Sequence, residues 1–165
     1  MYQLSSEIAF PHPQYASPEG LLAIGGDLSP ERILFAYENG IFPWFNEGES
    51  IIWYSPNPRM VLFPKNLKIS KSMQQIIRKD EFKITFNQNF SEVIRNCKTI
   101  FREGQGGTWI TNEMQQAYLK LYNLGIAKSV EVWKENELVG GLYGIDLGHI
   151  FCGESMFSKV SNTSK

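Results

Sequence analysis

The segment Phe151-Cys-Gly-Glu-Ser-Met-Phe157 sets one carboxylate, Glu154, among apolar neighbours. A carboxylate walled by Phe151, Met156 and Phe157 can hold an ammonium group or accept a proton. A strand-end glutamate left in solvent does neither. Gly153 beside it permits close backbone approach. Two tryptophans stand in loop-like sequence: Trp44 between Pro43 and Phe45, and Trp109 between a glycine-rich stretch and a helix cap. Such rings are either partial core or platforms for unpaired bases, a contact of about 1–3 kcal/mol per base. Positive charge gathers between them in the chain. Residues 65–102 carry nine basic side chains against three acidic ones, Lys65, Lys68, Lys71, Arg78 and Lys79 among them. That charge suits solvated helix faces or a surface that tracks phosphates.

The common catalytic signatures are absent. The sequence holds no HExxH, no Walker loop and no nucleophile with a base at a familiar spacing. Gly104-Gln-Gly-Gly107 reads as a flexible linker. Cys97 and Cys152 make neither a disulfide framework nor a zinc site, and suit buried thiols in a reducing cytosol. His12 and His149 have no metal-ligating partners at useful spacing, so no metal is expected. The N-terminus lacks the basic and apolar regions of a signal peptide, and no apolar run approaches the ~18 residues of a membrane span. A cytoplasmic protein without membrane association is expected.

These residues need elements to position them. The 165 residues, 42% hydrophobic and 20% charged, suit a globular chain of one or two domains. The formal charge of -1 conceals an uneven distribution: residues 1–64 hold two basic and seven acidic side chains, and residues 65–165 hold fourteen and ten. All eight prolines precede residue 65. This predicts a small N-terminal domain over 1–64, irregular, with short strands and one helix. Ser29 can cap that helix, Pro30 suits its first position, Gly40 ends it, and Ile33, Leu34, Ala36 and Tyr37 form its apolar face. The second domain, 65–165, starts with a helix from Ser70 to Lys79 bearing Met73, Ile76 and Ile77. A strand over 82–86 and a helix over 89–98 follow, the latter with Phe90, Val93, Ile94 and Cys97 inward. A further helix is capped by Thr111 or Asn112 and ended by Gly125; its face is Met114, Ala117, Tyr118, Leu121 and Tyr122. Strands over 129–134, 138–145 and 149–154 form a meander turning at Glu135-Asn136 and 146–148. The fold class is α+β with a mixed or antiparallel sheet.

Seven motifs stand in one order. They are Gly20-Leu-Leu-Ala-Ile-Gly-Gly-Asp-Leu-Ser29, Gly40-Ile-Phe-Pro-Trp-Phe45, Trp53-Tyr-Ser-Pro-Asn-Pro-Arg59, Gly107-Thr-Trp-Ile-Thr111, Ser129-Val-Glu-Val-Trp133, Leu138-Val-Gly-Gly-Leu-Tyr-Gly144 and Phe151-Cys-Gly-Glu-Ser-Met-Phe-Ser158. In these, from about Ile8 to its end, the chain resembles the bacterial leucyl/phenylalanyl-tRNA–protein transferases. The resemblance implies transfer of Leu, Phe or Met from aminoacyl-tRNA to the N-terminal amine of proteins beginning with Arg or Lys, which marks them for degradation. It implies no cofactor, a monomer, and a second domain like the GCN5-related acetyltransferases, with a mixed sheet. It also implies that Trp44 and Trp109 hold the terminal adenosine and that Leu142 and Phe151 line the aminoacyl pocket. Glu154 would lie beside the ester, with Lys65, Lys68, Lys71, Arg78 and Lys79 on the acceptor-stem phosphates.

The family pattern continues beyond the match to Lys165, through an Asp-x-Gln element proposed to relay the proton. The resemblance is therefore to a C-terminally shortened member with an incomplete sheet. The alternative expectation is a non-catalytic module that binds the aminoacyl-tRNA 3′ end. An acetyl-CoA enzyme ranks below both, because no pyrophosphate loop of that kind follows the meander.

Overall fold

The computed structural model describes residues 2–100 and 108–165. The glycine-rich loop expected at 102–107, with Arg102 and the Gly107 of its motif, lies outside the described residues. The described residues hold four α-helices and eight strands in an α+β arrangement. Contacts group the chain into two units, Met1–Arg59 with Arg102–Leu121, and Met60–Phe101 with Tyr122–Lys165. The division falls after Arg59 and returns a later segment to the first unit. Composition along the chain cannot register such a return.

In the first unit, β1 (Tyr2–Leu4), β2 (Leu21–Gly25), β3 (Phe42–Pro43) and β4 (Ile52–Tyr54) form one sheet in the order β1-β2-β4-β3. β1 lies parallel to β2, and the other pairs are antiparallel. Helix α1 (Pro30–Glu38) starts where Pro30 predicts, with Ile33, Ala36 and Tyr37 buried and Leu34 half-buried. Ser29 occupies the cap position, but its hydroxyl makes no capping bond. Asp27 supplies the local side-chain acceptor instead, its Oδ1 accepting from the Ser29 N–H at 2.8 Å. Gly40, at φ 72°, provides the left-handed residue that ends the helix. The later segment contributes α4 (Asn112–Asn123), which the division cuts between Leu121 and Tyr122. Thr111 is its cap, with Oγ1 accepting from the Met114 N–H at 3.1 Å. The buried hydroxyls of Tyr37 and Tyr118, 2.6 Å apart, join α1 to α4 within this unit.

The second unit begins with α2 (Lys71–Lys79), capped by the Ser70 hydroxyl on the Met73 N–H. Strand β5 (Lys83–Phe86) and helix α3 (Phe90–Thr99) follow, then β6 (Ala127–Lys134), β7 (Glu137–Asp146) and β8 (Phe151–Ser158). Of the two expected sheet types this one is antiparallel, in the order β5-β6-β7-β8. Glu135 and Asn136 both have positive φ, 51° and 68°, as a two-residue hairpin turn requires. Helix α3 covers one face with Phe90, Val93, Ile94 and Cys97. The Phe90 ring meets Tyr143 edge-on at 5.7 Å. The opposite face carries Ile84 together with Phe86, Leu142 and Met156, the last three on one register line through Val130, and all four but Leu142 are exposed. The third meander strand is corrected: it runs 151–158 rather than 149–154. His149 and Ile150 belong to the turn, closed by the Leu147 N–H on the Ile150 carbonyl at 2.9 Å. Pairing with β7 then carries the strand on to Ser158 opposite Gly140.

Candidate functional site

The first unit presents aromatic side chains by strand alternation. Along β3 and β4, Pro43, Phe45 and Trp53 point inward and are buried, while Phe42, Trp44 and Tyr54 face outward. Trp53 is held by its Nε1–H on the Gly25 carbonyl at 2.9 Å. Trp44 is 51% exposed, and its ring lies 5.6 Å from that of Tyr54. The loop after Trp44 is shaped by Glu49, which accepts from the backbone and side-chain N–H groups of Asn46. In the same loop, Glu47 Oε2 accepts from the Asn112 N–H at 3.2 Å. That contact brings the Trp44 loop to the start of α4, three residues past the half-buried Trp109.

In the second unit, β7 and β8 carry the other candidates. Leu142 and Met156 are direct cross-strand partners, and Gly144 pairs with Gly153. A methyl group at Gly144 would come within 2.7 Å of the Phe151 ring and would strike the Cys152 carbonyl. Phe151 therefore lies across a position that admits only glycine. The register shifts between Tyr143, paired with Ser155, and Gly144, paired with Gly153. Glu154 is the extra residue of that bulge, half-buried, and not the end of a strand. A bulge re-aims the side chain it carries. The expected wall around Glu154 is corrected at Phe157. Strand alternation turns that ring to the opposite face, where it is 2% exposed and close to Gly141.

Lys65, Lys68, Lys71, Arg78 and Lys79 are all exposed. Arg78 and Lys79 occupy the last turn of α2, where the helix dipole favours cations. Lys79 is 3.8 Å from Glu81 in a solvated ion pair. A groove of about 350 Å³ runs beside α2, lined by Met73, Ile76, Ile77, Phe82, Ile84 and Val132 with Asn162 and Thr163. It shares no residue with the candidates above.

One buried carboxylate escaped the sequence reading. Glu131 is 0% exposed. It accepts from the Thr85 and Ser129 hydroxyls at 2.6 Å each and from the Asn89 and Gln88 N–H groups at 3.3 and 3.4 Å. It joins β5, β6 and the start of α3. The available signal was its inward position in the alternating run 129–133. On the exposed side of α3, the Arg95 hydrogen bond holds the Glu92 carboxyl below the usual carboxylate range.

Comparison with known proteins completes this picture. Residues 61–165 match the family model described as leucyl/phenylalanyl-tRNA protein transferase, and residues 26–57 match that of its N-terminal domain. A leucyl/phenylalanyl-tRNA–protein transferase of Flavobacterium johnsoniae is 66% identical over 165 residues, covering all of this chain and 78% of the relative. A protein of the same name from Flavobacterium psychrophilum is 61% identical over the same span, with 100% and 78% covered. That of Yersinia enterocolitica is 58% identical over 166 residues, with 99% and 69% covered. With both models matched in order and identity this high, the chain belongs to the leucyl/phenylalanyl-tRNA–protein transferase family, a family of aminoacyltransferases.

Proposed function

We propose that this chain transfers leucine, phenylalanine or methionine from aminoacyl-tRNA to the N-terminal amine of proteins beginning with Arg or Lys, marking them for degradation. The amine nitrogen attacks the ester carbonyl and a C–N bond forms. The ester C–O bond breaks, and the ribose 3′-oxygen leaves with a proton. The ester is already activated and the amine is the nucleophile. What remains is to align the two, accept a proton and stabilise the oxyanion. Trp44 and Trp109 hold the terminal adenosine. Leu142 and Phe151 line the side-chain pocket, Glu154 lies beside the ester, and the five cations from Lys65 to Lys79 meet acceptor-stem phosphates. An apolar pocket separates side chains by only about 1–3 kcal/mol per methylene, which is consistent with accepting Leu, Phe and Met alike.

The observation that carries the reading is Glu154 on the β8 bulge, beside the Leu142–Met156 pair and next but one to Gly144, over which Phe151 lies. We keep 1–64 and 65–165 as the two modules, the second acetyltransferase-like; separate family matches at 26–57 and 61–165 support the presence of two modules. No described helix is long and apolar enough to cross a membrane. We place the monomeric protein in the cytoplasm, where charged tRNA is found.

The test is incubation with phenylalanyl-tRNA and a peptide starting with Arg, read as the mass gained by the peptide. One added phenylalanine is expected, with Glu154→Gln lowering transfer more than tRNA binding. Salt-sensitive binding without transfer would mark a 3′-end-binding module instead. Neither binding nor transfer would overturn both readings.

A further inference from the structure

The outward residues of β3 and β4 continue past Trp44. Phe42 and Tyr54 are cross-strand partners at the sheet edge, their ring centroids 6.3 Å apart and planes 25° from parallel. Tyr54 is also the neighbour of Trp44, at 5.6 Å. At the far end, the Arg59 guanidinium stands over the Phe42 ring, 5.0 Å from its centroid. Its Nη1 donates to the Gly40 carbonyl at 3.2 Å, which uses one of five N–H donors and fixes the plane. The order along this edge is therefore Trp44, Tyr54, Phe42, Arg59.

Charge gives the strip a direction. Residues 1–64 contain two basic side chains, and the other, Arg32, is fully buried. Arg59 is thus the one exposed Lys or Arg among residues 2–64 of an acidic segment. At the opposite end, Glu47 and Glu49 flank the Trp44 loop. A ligand laid along the strip puts its anionic part at Arg59 and an uncharged end at Trp44. Unpaired RNA meets that pattern: its bases stack on aromatic rings and guanidinium planes, and its phosphates follow cations. The terminal nucleoside of a tRNA has no 3′-phosphate, and every preceding link carries one.

We propose that Phe42, Tyr54 and Arg59 form a second subsite, which takes the nucleotide preceding the terminal adenosine of the unpaired tRNA 3′ end. This rests on the reading of Trp44 as part of the adenosine site.

Two probes separate the claims. One is adenosine bearing phenylalanine through a 3′-amide. The other is the 5′-phosphorylated trinucleotide CCA bearing the same amide. The full chain should bind the trinucleotide about tenfold more tightly than the nucleoside. Arg59→Ala should remove most of that difference, leave nucleoside affinity within about twofold, and lower the log–log salt slope for the trinucleotide by about 0.7. Arg59→Lys should keep the salt slope and lose part of the affinity, because charge remains without a plane. Should Arg59→Ala unfold, Arg59→Gln, which can still donate to the Gly40 carbonyl, is read in its place. Trp44→Ala should weaken both probes. Equal binding of the two probes by the unaltered chain overturns the second subsite alone. So does an Arg59 substitution that weakens both equally or neither. Loss of neither probe in Trp44→Ala, or no binding of either by the unaltered chain, overturns the adenosine reading, and the subsite falls with it.

Discussion

Among the described residues each unit buries one charged side chain, and the two are satisfied to different degrees. In the second unit, Glu131 receives four hydrogen bonds, two from hydroxyls and two from backbone N–H groups. In the first unit, the fully buried Arg32 uses only Nη2, on the Ser5 carbonyl at 2.9 Å and on Asp27 at 3.3 Å. Its Nε and Nη1 have no partner among the described residues. A carboxylate only accepts, and a strand beside a helix start offers donors readily. A guanidinium has five donors in a rigid fork, so a crowded interior rarely meets them all. Glu131 is therefore a junction of three elements, whereas Arg32 carries a desolvation cost that its partners offset only in part.

Substitutions test that contrast. The largest effect is expected for Glu131→Ala, which leaves two hydroxyls and two N–H groups inside the second unit without their acceptor. A loss of about 3 kcal/mol is expected, read as a lower urea midpoint at constant slope. A loss below about 1 kcal/mol would remove the contrast. Next comes Arg32→Ala, where lost packing costs about 2 kcal/mol. Arg32→Met, which keeps the volume and removes the orphaned donors, should stay within about 1 kcal/mol of the unaltered chain. If Met is as damaging as Ala, the guanidinium is better satisfied than its contacts indicate.

The smallest effect is a pH dependence centred on Asp27. The Ser29 hydroxyl is the main influence lowering its carboxyl, with the Ser29 N–H and Arg32 adding to it against partial burial. A carboxyl that ionises more readily when folded stabilises the fold above its unfolded pKa. That contribution is lost as pH falls through the lower, folded value. The first unit should therefore weaken below about pH 4. Asp27 is half-exposed, so solvent screens its contribution to stability. Comparing thermal midpoints of Asp27→Asn and the unaltered chain from pH 7 to pH 3 isolates it. Parallel curves would mean that Asp27 contributes nothing through its charge.

Much of the local structure was legible because short-range chemistry controls it. Pro30 and Gly40 bracket α1, Ser70 caps α2, and Glu135-Asn136 turns the β6–β7 hairpin. The candidate site was less legible. Glu154 could be picked out by its neighbours, but its place on a bulge depends on how β8 registers against β7. That register also turned Phe157 away and lengthened β8, since pairing outlasted the propensity that suggested an end at 154. Glu131 looked like any inward strand residue until Thr85, 46 positions away, met it.

Chain order alone determined the α+β class, the uneven charge, the run of motifs and the types of residue that could meet RNA and an ester. These follow from residue identity and from contacts between near neighbours. Tertiary structure decided which side chains share a face. It laid Phe151 over Gly144, set Trp44 beside Tyr54, stood Arg59 on Phe42, and returned residues 108–121 to the first unit. Register and long-range packing choose among faces that local propensity leaves equivalent, because shifting a strand by one residue exchanges every side chain between its two sides.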